Sequence, residues 1–148
     1  MVNSAQIDEA PSPAKVELIR RFLKATGIQK KIDTGSFLER HAFIGGQLLA
    51  SAAEADGMTF KRAVESAFGA LRTAYEPRRH VWQEEYESHL NWEFTEAELE
   101  RIVAFLEAPE GQHFLEGRWR MDAYISTNTE HLVEEIVTDA QAALAQHT

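Results

Sequence analysis

Cysteine is absent from this chain, which removes disulfides, thiolate nucleophiles and cysteine-held metals together. That absence suits reducing and oxidising compartments alike. Four prolines and eight glycines are too few for a turn-dense, sheet-rich fold. No apolar run approaches the length that spans a bilayer, and residues 1–12 lack the apolar segment of a signal peptide. The chain therefore reads as soluble, cytoplasmic as it stands or periplasmic if an upstream signal peptide has been removed. Positive charge is scarce as well: 15 Lys and Arg against 24 Asp and Glu give a net charge of -9. A field of that sign opposes nucleic acid and anionic membrane surfaces, so neither is an expected partner.

What is present is a helix-forming mixture. Hydrophobic residues make up 44% and charged residues 26%, the balance of a folded globule with one core. Alanine, leucine and glutamate recur throughout, and all three favour helix. The expected fold is all-α: a flexible tail over residues 1–12, then one domain over residues 13–146. That domain is an irregular bundle of roughly five to seven helices of ordinary length.

Ser12 and Pro13 form a cap and first-turn pair for an opening helix whose buried stripe is Leu18, Ile19, Phe22 and Leu23. Gly27 is placed to end it, with Ile28 closing the cap. A second, central helix is expected from Asp33 or Gly35 to Ala55, with Gly45 and Gly46 allowing close neighbours and Gly57 ending it. Thr59 precedes a third helix with the stripe Phe60, Val64, Ala67, Leu71 and Tyr75. A fourth, from Pro77 to about Asn91, carries Val81, Trp82, Tyr86 and Leu90.

Residues 94–115 specify their local structure most tightly. Thr95 and Glu98 have the spacing of a capping box, and Phe94 and Leu99 that of a hydrophobic staple. Pro109 lacks an N–H and holds Ala108 extended, so one helix stops near Glu107 and another starts at Pro109. Gly111 and Gly117 permit close backbone approach. The product is a proline-marked corner. Beyond it, Phe114, Leu115, Met121, Ile125, Leu132, Val133, Ile136, Ala140 and Leu144 are the apolar members of one long bent helix or two, more than one core needs. In the second case Thr127 or Asn128 caps the later helix, with Glu130 completing a box.

The block Phe94, Thr95, Glu98, Leu99, Phe105, Leu106, Pro109, Gly111 and Gln112 resembles a bacterial family catalogued as domain of unknown function 2059. Residues Leu23 to Gly27 are similar to the end of that family's opening helix, and the resemblance runs from about Ala14 to Leu144. It implies an all-helical fold and, commonly, export with a signal peptide. Ala108 stands where family members often have serine. The family lends no chemistry.

Six histidines are scattered along the chain without the H-E-x-x-H spacing of a zinc site. Glu110 and His113 make one Glu-x-x-His, where a di-metal bundle needs two such motifs plus glutamates from two further helices. There is no G-x-S-x-G and no phosphate loop. No catalytic residue, metal or cofactor is therefore implied.

Two surface groups remain as partner-binding residues: Arg118, Trp119 and Arg120, and the basic cluster Arg20, Arg21 and Lys24, with Lys30 and Lys31 beyond it. The bland alternative for the cluster is a solvated helix end, and for Trp82, Trp92 and Trp119 it is sealing of a small core. The leading functional expectation is a non-enzymatic interaction or structural protein, with a homodimer among its forms. Two rivals are a module for a small apolar ligand or lipid and a hydrolase built on Glu85, His89, Glu110 or His113.

Overall fold

The computed structural model describes residues 9–43, 47–56 and 59–146. The expected tail over residues 1–8, Gly45 and Gly46, and Gly57 lie outside the described residues. The fold is an all-α irregular bundle, with eight α-helices and two 3-10 turns among the described residues. The helices are α1 (Pro13–Ala25), α2 (Ile28–Thr34), α3 (Gln47–Asp56), α4 (Phe60–Tyr75), α5 (Arg79–Glu93), α6 (Glu96–Glu107), α7 (Pro109–Asn128) and α8 (Glu130–Ala145). Contacts divide the chain into two compact units, residues 1–106 and 107–148.

The first unit is built around α1. The Ser12 hydroxyl accepts from the Lys15 N–H at 3.1 Å, and Pro13 fills the first helical position. Leu18, Ile19 and Leu23 are buried with Leu90 of α5 and Leu99 and Val103 of α6. Phe22, Ile28 and Phe94 pack against this cluster, so the expected stripe and cap contact are made. Gly27 takes φ 81°, and its N–H donates to Lys24 O at 3.2 Å, which ends α1 as a left-handed cap does.

The capping box of α6 is complete: the Thr95 N–H donates to Glu98 Oε1 at 2.9 Å and the Glu98 N–H to Thr95 Oγ1 at 3.1 Å. The Thr95 N–H and hydroxyl hold the Glu98 carboxyl below the usual glutamate range. A depressed folded-state value adds stability above the unfolded value and loses it as pH falls through the folded one. Melting curves across the acid range are therefore expected to flatten in Glu98→Gln. Thr95→Ala is expected to cost about 1 kcal/mol at neutral pH. Equal acid slopes in wild type and Glu98→Gln would contradict the box as a source of stability.

The central helix is not continuous. Gly35 takes φ 67° and caps α2, and Ser36–Ala42 form a 3-10 turn before α3 begins at Gln47. Tertiary packing overrides the apolar pattern here. The Tyr75 hydroxyl donates to Ile32 O, and the Tyr75 ring lies edge-on to Phe37 at 5.6 Å and to Trp82 at 5.4 Å. This aromatic cluster holds Phe37 out of helical register. In α4, Ala63, Ala67 and Tyr75 are buried while Phe60, at the exposed first position, is not. Thr59 precedes α4 without a side-chain hydrogen bond to it, so that expected cap is not made.

The second unit starts as the sequence requires. Ala108 is extended (φ -73°, ψ 153°), Pro109 opens α7, and the Gln112 N–H donates to Ala108 O at 3.0 Å. The helix then runs to Asn128, and Thr129 alone separates it from α8. The chain takes the two-helix form, with Thr127 inside α7 and Thr129 at the break, so the expected box from Thr127 to Glu130 does not form. The Thr129 hydroxyl donates instead to Ile125 O at 2.6 Å, and Asn128 Nδ2 to Tyr124 O at 2.9 Å. Both side chains thus satisfy carbonyls near the end of α7.

Candidate interaction surface

The final segment was expected to carry more apolar positions than one core needs, and the structure leaves many of them on the surface. Met121 is 57% exposed, Ile125 51%, Leu132 45% and Ile136 65%, with Tyr124, Val133, Val137 and Leu144 also exposed. The reason is connectivity. Two helices joined by one residue lack the loop of about two to five residues that folds a helical hairpin back on itself. A single helix cannot bury its own stripe. Exposed apolar faces of this kind are uncommon on folded chains.

Arg118, Trp119 and Arg120 do not share one helix face. Consecutive helical residues turn by about 100° each, so Arg118, Trp119 and Arg120 fan around α7. Arg118 lines a shallow apolar groove with Phe114, Gly117 and Met121, bordered by Glu110 and His113. Arg120 pairs with Glu116 at 3.8 Å one turn back. Trp119 is 70% exposed, so the reading in which all three tryptophans seal the core fails for it. Trp82 is in the aromatic cluster, and Trp92 lies within α5 rather than in a connector, 5.8 Å from the His89 ring. A Cβ at Gly117 would meet nothing within 4 Å, so the close approach expected there is not used.

Arg20, Arg21 and Lys24 do share one face of α1, and it lies opposite the buried stripe of Leu18, Ile19 and Leu23. All three are exposed. That face is turned away from the buried cluster.

The polar group that sequence reasoning passed over is Lys15. It is buried, and its ammonium donates to Asn91 O at 2.9 Å. Asn91 Nδ2 donates to Glu9 O at 2.7 Å, and the Ser12 hydroxyl donates to Glu96 Oε1 at 2.5 Å. Burial pushes the Lys15 ammonium below its ordinary range, against the opposing pull of Glu96, Glu9 and Glu98. The signal was available: Lys15, Ile19 and Leu23 stand one turn apart on the same stripe. The group ties residues 9–12 onto α5 and α6, so this end of the expected tail is held.

A second polar groove lies between α2 and α5. Gln29 Nε2 donates to Gln83 Oε1 at 2.8 Å, and Gln83 Nε2 returns the bond to Gln29 Oε1 at 3.1 Å. Arg79 stands 3.7 Å from both Asp33 and Glu76. These mutual bonds join the two helices across the groove.

Among the described residues, no group of three or more His, Asp and Glu could hold a metal ion, and no helix is long and apolar enough to cross a membrane. His147 lies outside the described residues. Glu85 and His89 sit exposed on α5. No family model, curated protein or solved structure matches this chain.

Proposed function

We propose that this protein is a non-enzymatic interaction module that works through the face formed by α7 and α8. The observation that carries the reading is the solvent-facing run of Met121, Ile125, Leu132 and Ile136. Water contact along such a run is costly at about 25 cal/mol per Å² of apolar surface, and a partner relieves it. The absence of a catalytic metal cluster among the described residues accords with a non-enzymatic role.

The small apolar ligand or lipid reading is weaker on geometry. A ligand site encloses most of its occupant in a concave cavity. The groove at Phe114 and Met121 is instead a shallow part of a long helical face. The hydrolase reading has Glu110 and His113 on the edge of that apolar groove and Glu85 and His89 exposed elsewhere. The likeness of residues 94–112 to the 2059 family stays a proposal of kinship, supported by the capping box and by Pro109 opening α7. Radical footprinting of Met121 in extract of the source organism tests the interaction reading, since a covered face shields the thioether.

A further inference from the structure

The stripe on α7 and α8 has an internal order that says what covers it. It repeats every eleven residues: Phe114, Ile125 and Ile136 hold one position, Arg118, Thr129 and Ala140 a second, and Met121, Leu132 and Ala143 a third. An eleven-residue repeat is about 3.67 residues per turn, near the helical value, so the stripe stays on one line along a straight helix. The break at Thr129 does not disturb it. The Thr129 N–H donates to Ile125 O and the Val133 N–H to Thr129 O, both at 3.0 Å, so the helical bonding runs through the junction. The dihedrals of Thr129, φ -111° and ψ 4°, sum to -107°. Helical dihedrals sum to about -105°, so the rotation of the chain carries on in phase.

We infer that this stripe pairs with the same stripe of a second copy, antiparallel, about a two-fold axis at Thr129. The inference rests on the reading of α7 and α8 as an interaction surface and names its partner. Turned end for end about Thr129, the stripe complements itself. Phe114 meets Ala143 of the second copy, Arg118 meets Ala140, Met121 meets Ile136 and Ile125 meets Leu132. Thr129 meets its own counterpart. The largest side chains face the smallest at the ends, and middle-sized ones face each other at the centre, which fills the space between the helices evenly.

Charge selects the same orientation. Ala140 leaves room for the Arg118 guanidinium next to Asp139 of the second copy. In-register parallel pairing would set Arg118 against Arg118 and Asp139 beside Asp139, and would leave Phe114 crowded and Ala143 facing a gap. The stripe and its flanking Val133 and Leu144 offer seven large exposed apolar side chains. At on the order of 100 Å² apiece they cover about 700 Å² per copy, near the size of a stable interface.

The full chain has no cysteine, so single introduced thiols report the register without background. Under mild oxidation Thr129→Cys is expected to give a disulfide-linked dimer and Ala140→Cys none, while Arg118→Cys mixed with Ala140→Cys gives the cross-linked pair. Light scattering of wild type is expected to give twice 16.7 kDa. Equal cross-linking of Thr129→Cys and Ala140→Cys would mean parallel pairing and would overturn the inference. No cross-link at either position, with a mass of one chain, would overturn it too. The shielding of Met121 in extract is read independently, so loss of the dimer and loss of the interaction surface are separate results.

Discussion

Gly35→Ala is expected to lower the stability of the protein by about 3 kcal/mol, combining two costs at one backbone position. The first is conformational. Gly35 holds φ 67°, where an L side chain pays roughly 1–2 kcal/mol. The second is steric: a Cβ there would stand 2.7 Å from Cδ2 of Tyr75. That ring cannot give way cheaply. It is buried, its hydroxyl donates to Ile32 O, and Phe37 and Trp82 pack against it. Pushing it aside adds overpacking worth roughly 1–3 kcal/mol. Gly27→Ala is the control, since φ is 81° there and a Cβ would meet nothing within 4 Å. It is expected to cost about 1 kcal/mol, the conformational part offset by the stiffer unfolded chain. Thermal melts should show about a 10 °C fall for Gly35→Ala and a few degrees for Gly27→Ala. Equal shifts would contradict the role given to Tyr75.

Leu23→Ala is expected to cost about 3–4 kcal/mol, because it opens a cavity at the meeting point of α1, α5 and α6. Leu23 is 0% exposed and shares its cluster with Ile19, Leu90, Leu99 and Val103. Two helices besides its own surround the site, so collapse around the deleted methyls is limited and the cavity term stays large. Denaturant unfolding of the full chain measures the loss. Leu132→Ala, on the face of α8, removes the same atoms from a half-exposed place. In dilute protein it should change stability by under about 0.5 kcal/mol. A similar loss from both variants would mean that α8 is buried in the isolated chain.

Local chemistry was legible in the sequence wherever one residue decides it. Ser12 with Pro13, Thr95 with Glu98, Gly27 and Pro109 each act within a turn of helix, and the structure has them as expected. Gly35 was read as a helix start, and it is a left-handed cap. What stops the helix there is Tyr75, forty residues on, which no local pattern reveals. The apolar residues of α7 and α8 illustrate another limit. Periodicity finds a stripe, and it does not say whether the stripe faces a core or a second molecule. The structure adds that the stripe is exposed and that Thr129 is a junction too short for a hairpin.

The candidate site was partly legible in the same way. Arg118 and Trp119 were singled out as surface residues, and both are exposed, but a helix turns them apart. The stripe beside them was read only as apolar positions in excess of one core, and its eleven-residue order went unread. Lys15 escaped because a charged residue on an apolar stripe reads as a break in the pattern. Its buried amine is satisfied by Asn91 O, a partner 76 positions away.

The claim at the centre of this account is that the α7 and α8 face is covered where the protein works. Hydroxyl-radical footprinting of Met121, which is 57% exposed in the single chain, measures this most directly. The comparison is wild type in native extract, wild type purified and diluted, and Ile136→Glu in extract. A charge at Ile136 spoils the face, and Ile136 is not among the buried core residues of the first unit. The account predicts slow oxidation of Met121 in extract and fast oxidation in the other two samples. Equally fast oxidation in all three would show an open face in the working protein and would contradict it.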